Sequence, residues 1–165
     1  MTMSLSHDSQ VSGLSRAGAR GTMASPFESG LLNLRLYELR RDPVLREARA
    51  WFLRDFNPGS LADAVETVSG ERNASFRMVL GYWDMAASLV TTGAIDAHAF
   101  LAAHNEIYGT FSKIQPFLDE LRTASGEPDF CKHIEAVLNT DPNAPATLTR
   151  RREAIRAAAK QSFEG

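Results

Sequence analysis

The sequence contains one cysteine among its 165 residues, and this scarcity excludes whole classes of site. A single thiol at Cys131 rules out an intramolecular disulfide framework and any zinc or iron–sulfur site built from several cysteines. The nearest approach to a metal-binding pair is Cys131 with His133, but side chains two residues apart on a helix point about 200° away from each other. We therefore expect neither a metal ion nor another cofactor.

Sequence motifs for phosphate binding and for helical metalloenzymes are also missing. The chain has no Gly-x-Gly-x-x-Gly segment and no Walker pattern, because its glycines stand singly. It has no His-Glu-x-x-His motif and no paired Glu-x-x-His motifs, which carry many zinc and di-iron sites. These absences favour a non-enzymatic protein, and we assign no residue a catalytic role.

Long apolar runs and a surplus of positive charge are likewise absent. Apolar stretches such as 78–83 are far shorter than the roughly 18 residues of a membrane span. The formal net charge is −2 at pH 7, whereas nucleic-acid binding needs a basic excess to displace condensed counterions. We expect a cytoplasmic protein without a membrane span, for which nucleic-acid binding is disfavoured.

The charges that are present are unevenly distributed. Residues 26–145 carry a net charge of −6, whereas residues 1–25 carry +1 and residues 146–165 carry +3. Ordinary solvated surfaces explain such a distribution, but opposite charges also steer docking between protein surfaces. The charge pattern is therefore one indication that the chain docks onto a protein partner.

Composition divides the chain into three parts. Residues 1–25 hold six serines and three glycines with no apolar periodicity, which predicts a flexible tail. Residues 26–140 form the predicted helical domain. Residues 141–165 are expected to be a proline-rich linker and a basic C-terminal helix. Because Arg150 to Arg152 lie near the start of that helix, where its dipole disfavours cations, we expect the helix to be peripheral or partner-dependent.

Apolar residues recur with a period near 3.6 from Pro26 onward, which predicts an all-α fold. We expect a single irregular bundle of about six to seven helices. The segment 72–92 is apolar around most of its circumference, so it is expected to lie at the centre with neighbours on two sides. Asp42, Ser60 with Asp63, and Asp96 are expected helix caps, Gly93 is an expected left-handed stop, and one helix is expected from 97 to 114.

Three residues are the candidates for a binding site in the bundle core. His104 lies in an apolar stripe, where a histidine can act as a base but more often is a core residue with one hydrogen bond. Asp84 is the acidic residue of the central helix, and a structural ion pair with Arg77 or Arg122 is the plainer explanation for it. A functional site requires Asp84, His104 and Arg122 to meet at one cavity.

Several segments together resemble a bacterial all-helical family of unknown function. They are residues 36–40, 82–90, 93–96, 121–122 and 126–128, together with Pro116. The resemblance covers about residues 30–139 and implies an all-helical fold without implying an activity. Members often carry glutamate where Asp84 stands, and many have an N-terminal membrane anchor, which is missing here and strengthens the expectation of a cytoplasmic protein.

The sequence favours a non-enzymatic helical interaction or regulatory domain that associates with a protein partner or with a second copy of itself. The partner-dependent C-terminal helix and the apolar surface left exposed by a small irregular bundle support this hypothesis. The alternative is a small-molecule or catalytic site around Asp84, His104 and Arg122.

Overall fold

The computed structural model describes residues 24–163, with side chains described as far as residue 158. Within this range the chain forms nine α-helices and one 3₁₀ turn, Gln115–Phe117, and no strand. The all-α prediction is confirmed, although the helices outnumber the six or seven expected. The helices are α1 (Pro26–Leu39), α2 (Pro43–Arg54), α3 (Leu61–Ser69), α4 (Asn73–Thr91), α5 (Ala97–Ala103), α6 (Glu106–Ile114), α7 (Leu118–Ser125), α8 (Lys132–Leu138) and α9 (Ala144–Phe163).

Helix α4 occupies the centre of the bundle, as its sequence predicts. Helices α2, α3 and α8 pack against it, while α9 packs on α6 and α1 packs on α5. Its inner stripe, including Phe76, Val79 and Trp83, is completely or almost completely buried. The predicted second stripe is only partly covered, since Met78 and Met85 are 38% and 42% exposed. Central burial of α4 therefore extends around less of its circumference than expected.

Short polar side chains begin the helices where the sequence predicts. Asp42 accepts the backbone N–H groups of Val44 and Leu45 at the start of α2. Ser60 and Asp63 form a capping box at α3, and Asp96 caps α5. Gly93 follows α4 with φ of 81°, a left-handed conformation in which glycine avoids the steric penalty of a Cβ atom. These predictions are confirmed.

The prediction of one continuous helix from 97 to 114 is wrong. Helix α5 ends at Ala103, and His104 adopts φ of −124° and ψ of 47°, outside the helical region. Helix α6 then begins at Glu106. The apolar spacing continues across this break, because both short helices direct the same face into the core, so periodicity alone did not reveal it.

The C-terminal region is better attached than expected. Ala144 and Leu148 in the first turns of α9 are buried in the common core. Pro145 lies inside α9, so the predicted linker is shorter than 141–145 and passes directly into the helix. The predicted tail, residues 1–25, lies outside the described residues except for its last two. Among the helices within residues 24–163, none is both long and apolar enough to cross a membrane.

Candidate functional site

His104 lies in a dry environment at the junction of α5 and α6. Its side chain is 2% exposed and contacts the rings of Trp83 and Phe100. One hydrogen bond, 3.0 Å long, joins its Nε2 to Oδ1 of Asn33 on α1. Burial, followed by the positive charge of Arg40, lowers the pKa of His104 to about 4. The imidazole is therefore neutral near pH 7, and it links α1 to the centre of the bundle.

A partly buried charge cluster lies near His104. Glu106, in the first turn of α6, accepts hydrogen bonds from Arg40 at 3.0 Å and from Nε of Arg49 at 2.7 Å. The guanidinium of Arg49 also donates through Nη2 to the same carboxylate, and this pairing raises its pKa. All three side chains are only 14–16% exposed. The cluster joins α1, α2 and α6, and it neutralises part of the arginine-rich N-terminal region.

Asp84 has a structural role that differs from the expected ion pair. Its Oδ1 accepts the backbone N–H groups of His133 and Ile134, at 3.0 and 3.1 Å, in the first turn of α8. Among the described residues its carboxylate forms no salt bridge, and Arg77 is exposed. The prediction of an ion pair is wrong because the unsatisfied N–H groups of α8 supply the partners instead. Asp84 thus caps a helix that lies far from it in sequence.

Arg122 contacts the other side of the same helix start. It donates to Glu135 at 2.9 Å and to the carbonyl of Phe130 at 3.1 Å. Cys131, just before α8, is near enough to feel the charges of both Asp84 and Arg122; it is 3% exposed and adopts a left-handed φ of 56°. Burial, with the nearby charge of Asp84, raises the pKa of this thiol well above its usual range. The thiol is therefore protonated and a poor nucleophile.

In the described part of the chain, the three candidate residues make separate polar contacts. Asp84 and Arg122 both support α8, whereas His104 bonds to α1, and no hydrogen bond or salt bridge joins any two of them. Two surface grooves, of about 330 and 230 Å³, run along α9, and none of the three residues lines either groove. Within the described residues no cluster of three or more histidine, cysteine or acidic side chains is arranged to hold a metal.

Lys113 is a buried cation that the sequence analysis missed. It is 5% exposed, and its Nζ donates to the carbonyls of Phe52, Leu53 and Phe56 at 2.7–2.8 Å and to Oδ1 of Asn57 at 2.9 Å. Burial lowers its pKa to about 8. The ammonium caps the C-terminal end of α2, where carbonyls lack helical partners. The sequence feature that could have indicated a buried cation is the position of this lysine within the apolar pattern of 107–114.

The outer face of α1 carries several exposed apolar side chains. Its exposed side chains follow helical spacing: Phe27 is 73% exposed, Leu31 51%, Leu34 63% and Tyr37 57%. We call these four residues the outer stripe. The inner face of α1 is apolar too, since Leu36 is buried and Leu32 packs against the core. The spacing of Leu32, Leu36 and Leu39 predicts one apolar stripe on this helix, but Leu39 is 41% exposed, and the outer stripe was not predicted although it shows the same periodicity.

Comparison with known proteins places the chain in a family. A family model described as a domain of unknown function, DUF4760, matches residues 27–140, more than two thirds of the chain. The chain belongs to the DUF4760 family. No curated protein matches the chain, and no solved structure does. The match agrees with the predicted resemblance to an uncharacterised family over 30–139.

The DUF4760 match includes the features described above. It begins at Phe27, the first residue of the outer stripe, and runs past the end of α8. It contains His104, the Glu106 cluster and Lys113, whereas α9 follows the matched stretch. In this DUF4760 chain α9 nonetheless contributes Ala144 and Leu148 to the core, so the folded unit extends beyond the matched residues.

Proposed function

We propose that this DUF4760 chain is a non-enzymatic helical interaction domain that associates with a second copy of itself through the outer stripe of α1. The observation that supports the proposal is the exposure of four large apolar side chains on one helix face, each at least 51% exposed. Exposed apolar patches of this kind mark interaction sites on folded domains. A helix that is apolar on both faces keeps apolar surface out of water only when protein packs against both faces.

The size of the stripe predicts a weak association. A helix of 14 residues is roughly 21 Å long, so one face offers less than the roughly 800 Å² per partner of a standard interface. We therefore expect a dissociation constant on the order of 1–100 µM. Such an affinity suits reversible assembly.

The environments of the polar candidates support a role without catalysis. His104 is neutral, buried and bonded to Asn33, and the thiol of Cys131 is protonated. Asp84 uses its carboxylate to cap α8. His104 and Asp84 therefore have structural partners, the Cys131 thiol is buried, and none of the three residues lines either described groove.

Light scattering coupled to size-exclusion chromatography tests the proposal on the full chain. Between 1 and about 300 µM, a range chosen to span the expected affinity, the wild type should change from the mass of one chain to the mass of two. The double substitution Leu31→Glu and Leu34→Glu should abolish this change without lowering the melting temperature, because both positions are exposed. Val65→Glu, on the exposed side of α3, is the matched control and should still dimerise.

Two results would overturn self-association. One is a wild-type chain that remains monomeric throughout the concentration range. The other is a dimer that survives the double substitution, which would place the interface elsewhere. In the first case, alkylation of a Phe27→Cys variant is informative. If the introduced thiol reacts slowly in the monomer, another segment of the same chain covers the outer stripe.

A further inference from the structure

We propose that the two copies pair through antiparallel α1 helices, with Glu28 of each copy facing Arg35 of the other. This inference rests on the proposed function, and it adds the orientation and the residues that select the partner. It follows from the positions of the charged, small and aromatic residues on α1.

The charges flanking the outer stripe are self-complementary in only one orientation. Glu28 and Arg35 are seven residues apart, so they lie on the same flank of α1, two turns from each other. In an antiparallel pair related by a two-fold axis, a flank meets the same flank of the other copy. Glu28 then meets Arg35 twice, once at each end. A parallel pair places this flank beside the side of α1 that carries Gly30 and Tyr37. Arg35 then keeps only its exposed salt bridge to Glu38, and Glu28 keeps only its capping hydrogen bonds with Ser25, so neither gains a partner on the second copy.

Gly30 is a small residue at the position where two such helices approach. It is exposed, and a Cβ atom added there meets nothing within 4 Å. Glycine inside a helix is less stable than alanine, and no contact among the described residues requires glycine at this position. In the antiparallel register Leu34 of the second copy lies over Gly30, which lets the helices approach closely.

The same register pairs the aromatic residues. When Glu28 lies opposite Arg35, Phe27 of one copy lies beside Tyr37 of the other, and Leu31 lies beside Leu34. Each apolar residue of the outer stripe therefore has an apolar neighbour. The helix dipoles also oppose each other in this arrangement, which is the favourable orientation.

Disulfide trapping tests the orientation on the full chain. In the antiparallel register two copies of Phe27 lie roughly 15 Å apart along the helix axis, beyond the reach of a disulfide. Under mild oxidation, Phe27→Cys alone and Tyr37→Cys alone should therefore remain largely uncoupled. An equimolar mixture of the two should form the mixed disulfide dimer at least five-fold in excess over either self-coupled dimer. The wild type controls for Cys131, which is buried.

Charge substitution provides a second test that leaves the apolar stripe intact. Arg35→Glu should weaken dimerisation about ten-fold, because each acidic residue then faces Glu28 of the other copy. Adding Glu28→Gln, which preserves the helix-capping hydrogen bonds with Ser25, should restore most of the affinity. Arg46→Glu makes the same change in net charge at another exposed site and should alter the affinity less than two-fold.

The outcomes separate the two proposals. A dimer in which Phe27→Cys couples to itself keeps the proposed function but overturns the antiparallel register. If Arg35→Glu weakens the dimer no more than Arg46→Glu does, the proposed function is likewise kept and the antiparallel register is overturned. A chain that is monomeric in every variant overturns both proposals.

Discussion

Replacing Lys113 by methionine tests whether a buried ammonium holds the end of α2. Methionine is unbranched and of similar length, so the substitution removes the charge while retaining most of the apolar stem. Three backbone carbonyls and the Asn57 side chain then lose their donor. These groups cannot all reach water, because Lys113 and two of the carbonyl-bearing residues, Phe52 and Phe56, are buried.

The magnitude follows from opposing terms. Each orphaned buried carbonyl costs about 1–3 kcal/mol, and two are affected, those of Phe52 and Phe56, whereas Leu53 is 37% exposed. The loss is partly offset because the variant no longer removes a charge from water, a penalty of several kcal/mol. We expect a net destabilisation of about 2–4 kcal/mol. For a chain of this length each kcal/mol lowers the melting temperature by about 2–4 °C, so the total decrease should be about 5–15 °C.

Thermal and urea unfolding of the Lys113→Met variant measure this effect. Lys132→Met is the matched control, because Lys132 is 48% exposed and pairs with the exposed Asp129. The control should leave the melting temperature within about 2 °C of the wild type. If the melting temperature of Lys113→Met equals that of Lys132→Met, or exceeds that of the wild type, the ammonium does not stabilise the end of α2.

Three further substitutions test the other polar groups. Glu106→Gln leaves two partly buried arginines without this counter-charge and should destabilise the fold by about 2–4 kcal/mol in urea unfolding. His104→Gln should reduce the pH dependence of stability. Because the folded pKa of His104, about 4, lies below the ordinary 6.5, its contribution is fully present above pH 6.5 and is lost as the pH falls to about 4. The wild type should lose up to about 3 kcal/mol over this range relative to the variant. Asp84→Ala removes the acceptor for two amides of α8 and should cost about 1–2 kcal/mol, with faster hydrogen exchange at those amides.

Each substitution has a control of the same type at an exposed position. Glu47→Gln, His98→Gln and Asp119→Ala change the same functional groups where the side chains face solvent. Equal effects for a variant and its control would show that the buried contact adds no stability. A His104→Gln variant that retains the full loss of stability between pH 6.5 and 4 would assign that dependence to another group.

Local signals predicted much of the fold. Asp42, Asp96 and the Ser60–Asp63 capping box were recognisable because a cap depends on residues within one turn of each other. The central position of α4 followed from its apolar circumference. The break at His104 was not predictable from spacing, since both helices continue the same apolar face. Its backbone conformation is set by the packing of α5 and α6.

The candidate site was harder to predict because its contacts are distant in sequence. Asp84 bonds to amides about fifty residues away, and Lys113 bonds to carbonyls about sixty residues away. No local pattern specifies such pairs. The sequence showed that polar residues lay within apolar stripes, but it did not show which helix end or counter-charge each would meet. The outer stripe of α1 was visible in the sequence, and only the packing showed which of its two faces is left exposed.

The buried polar contacts also bear on how α1 presents its outer stripe. Four of them hold its inner side: Ser29 accepts the N–H of Asp96, Asn33 bonds to His104, the Leu36 carbonyl accepts from Tyr82, and Arg40 donates to Glu106. These contacts fix α1 before any partner arrives, so association does not have to order the helix. The entropy lost when a flexible segment becomes ordered weakens binding. A helix that is already fixed avoids this loss, so even a small apolar face can bind in the micromolar range. Of the three residues that first suggested a chemical site in the core, His104 helps to hold α1 in place, whereas Asp84 and Arg122 support α8.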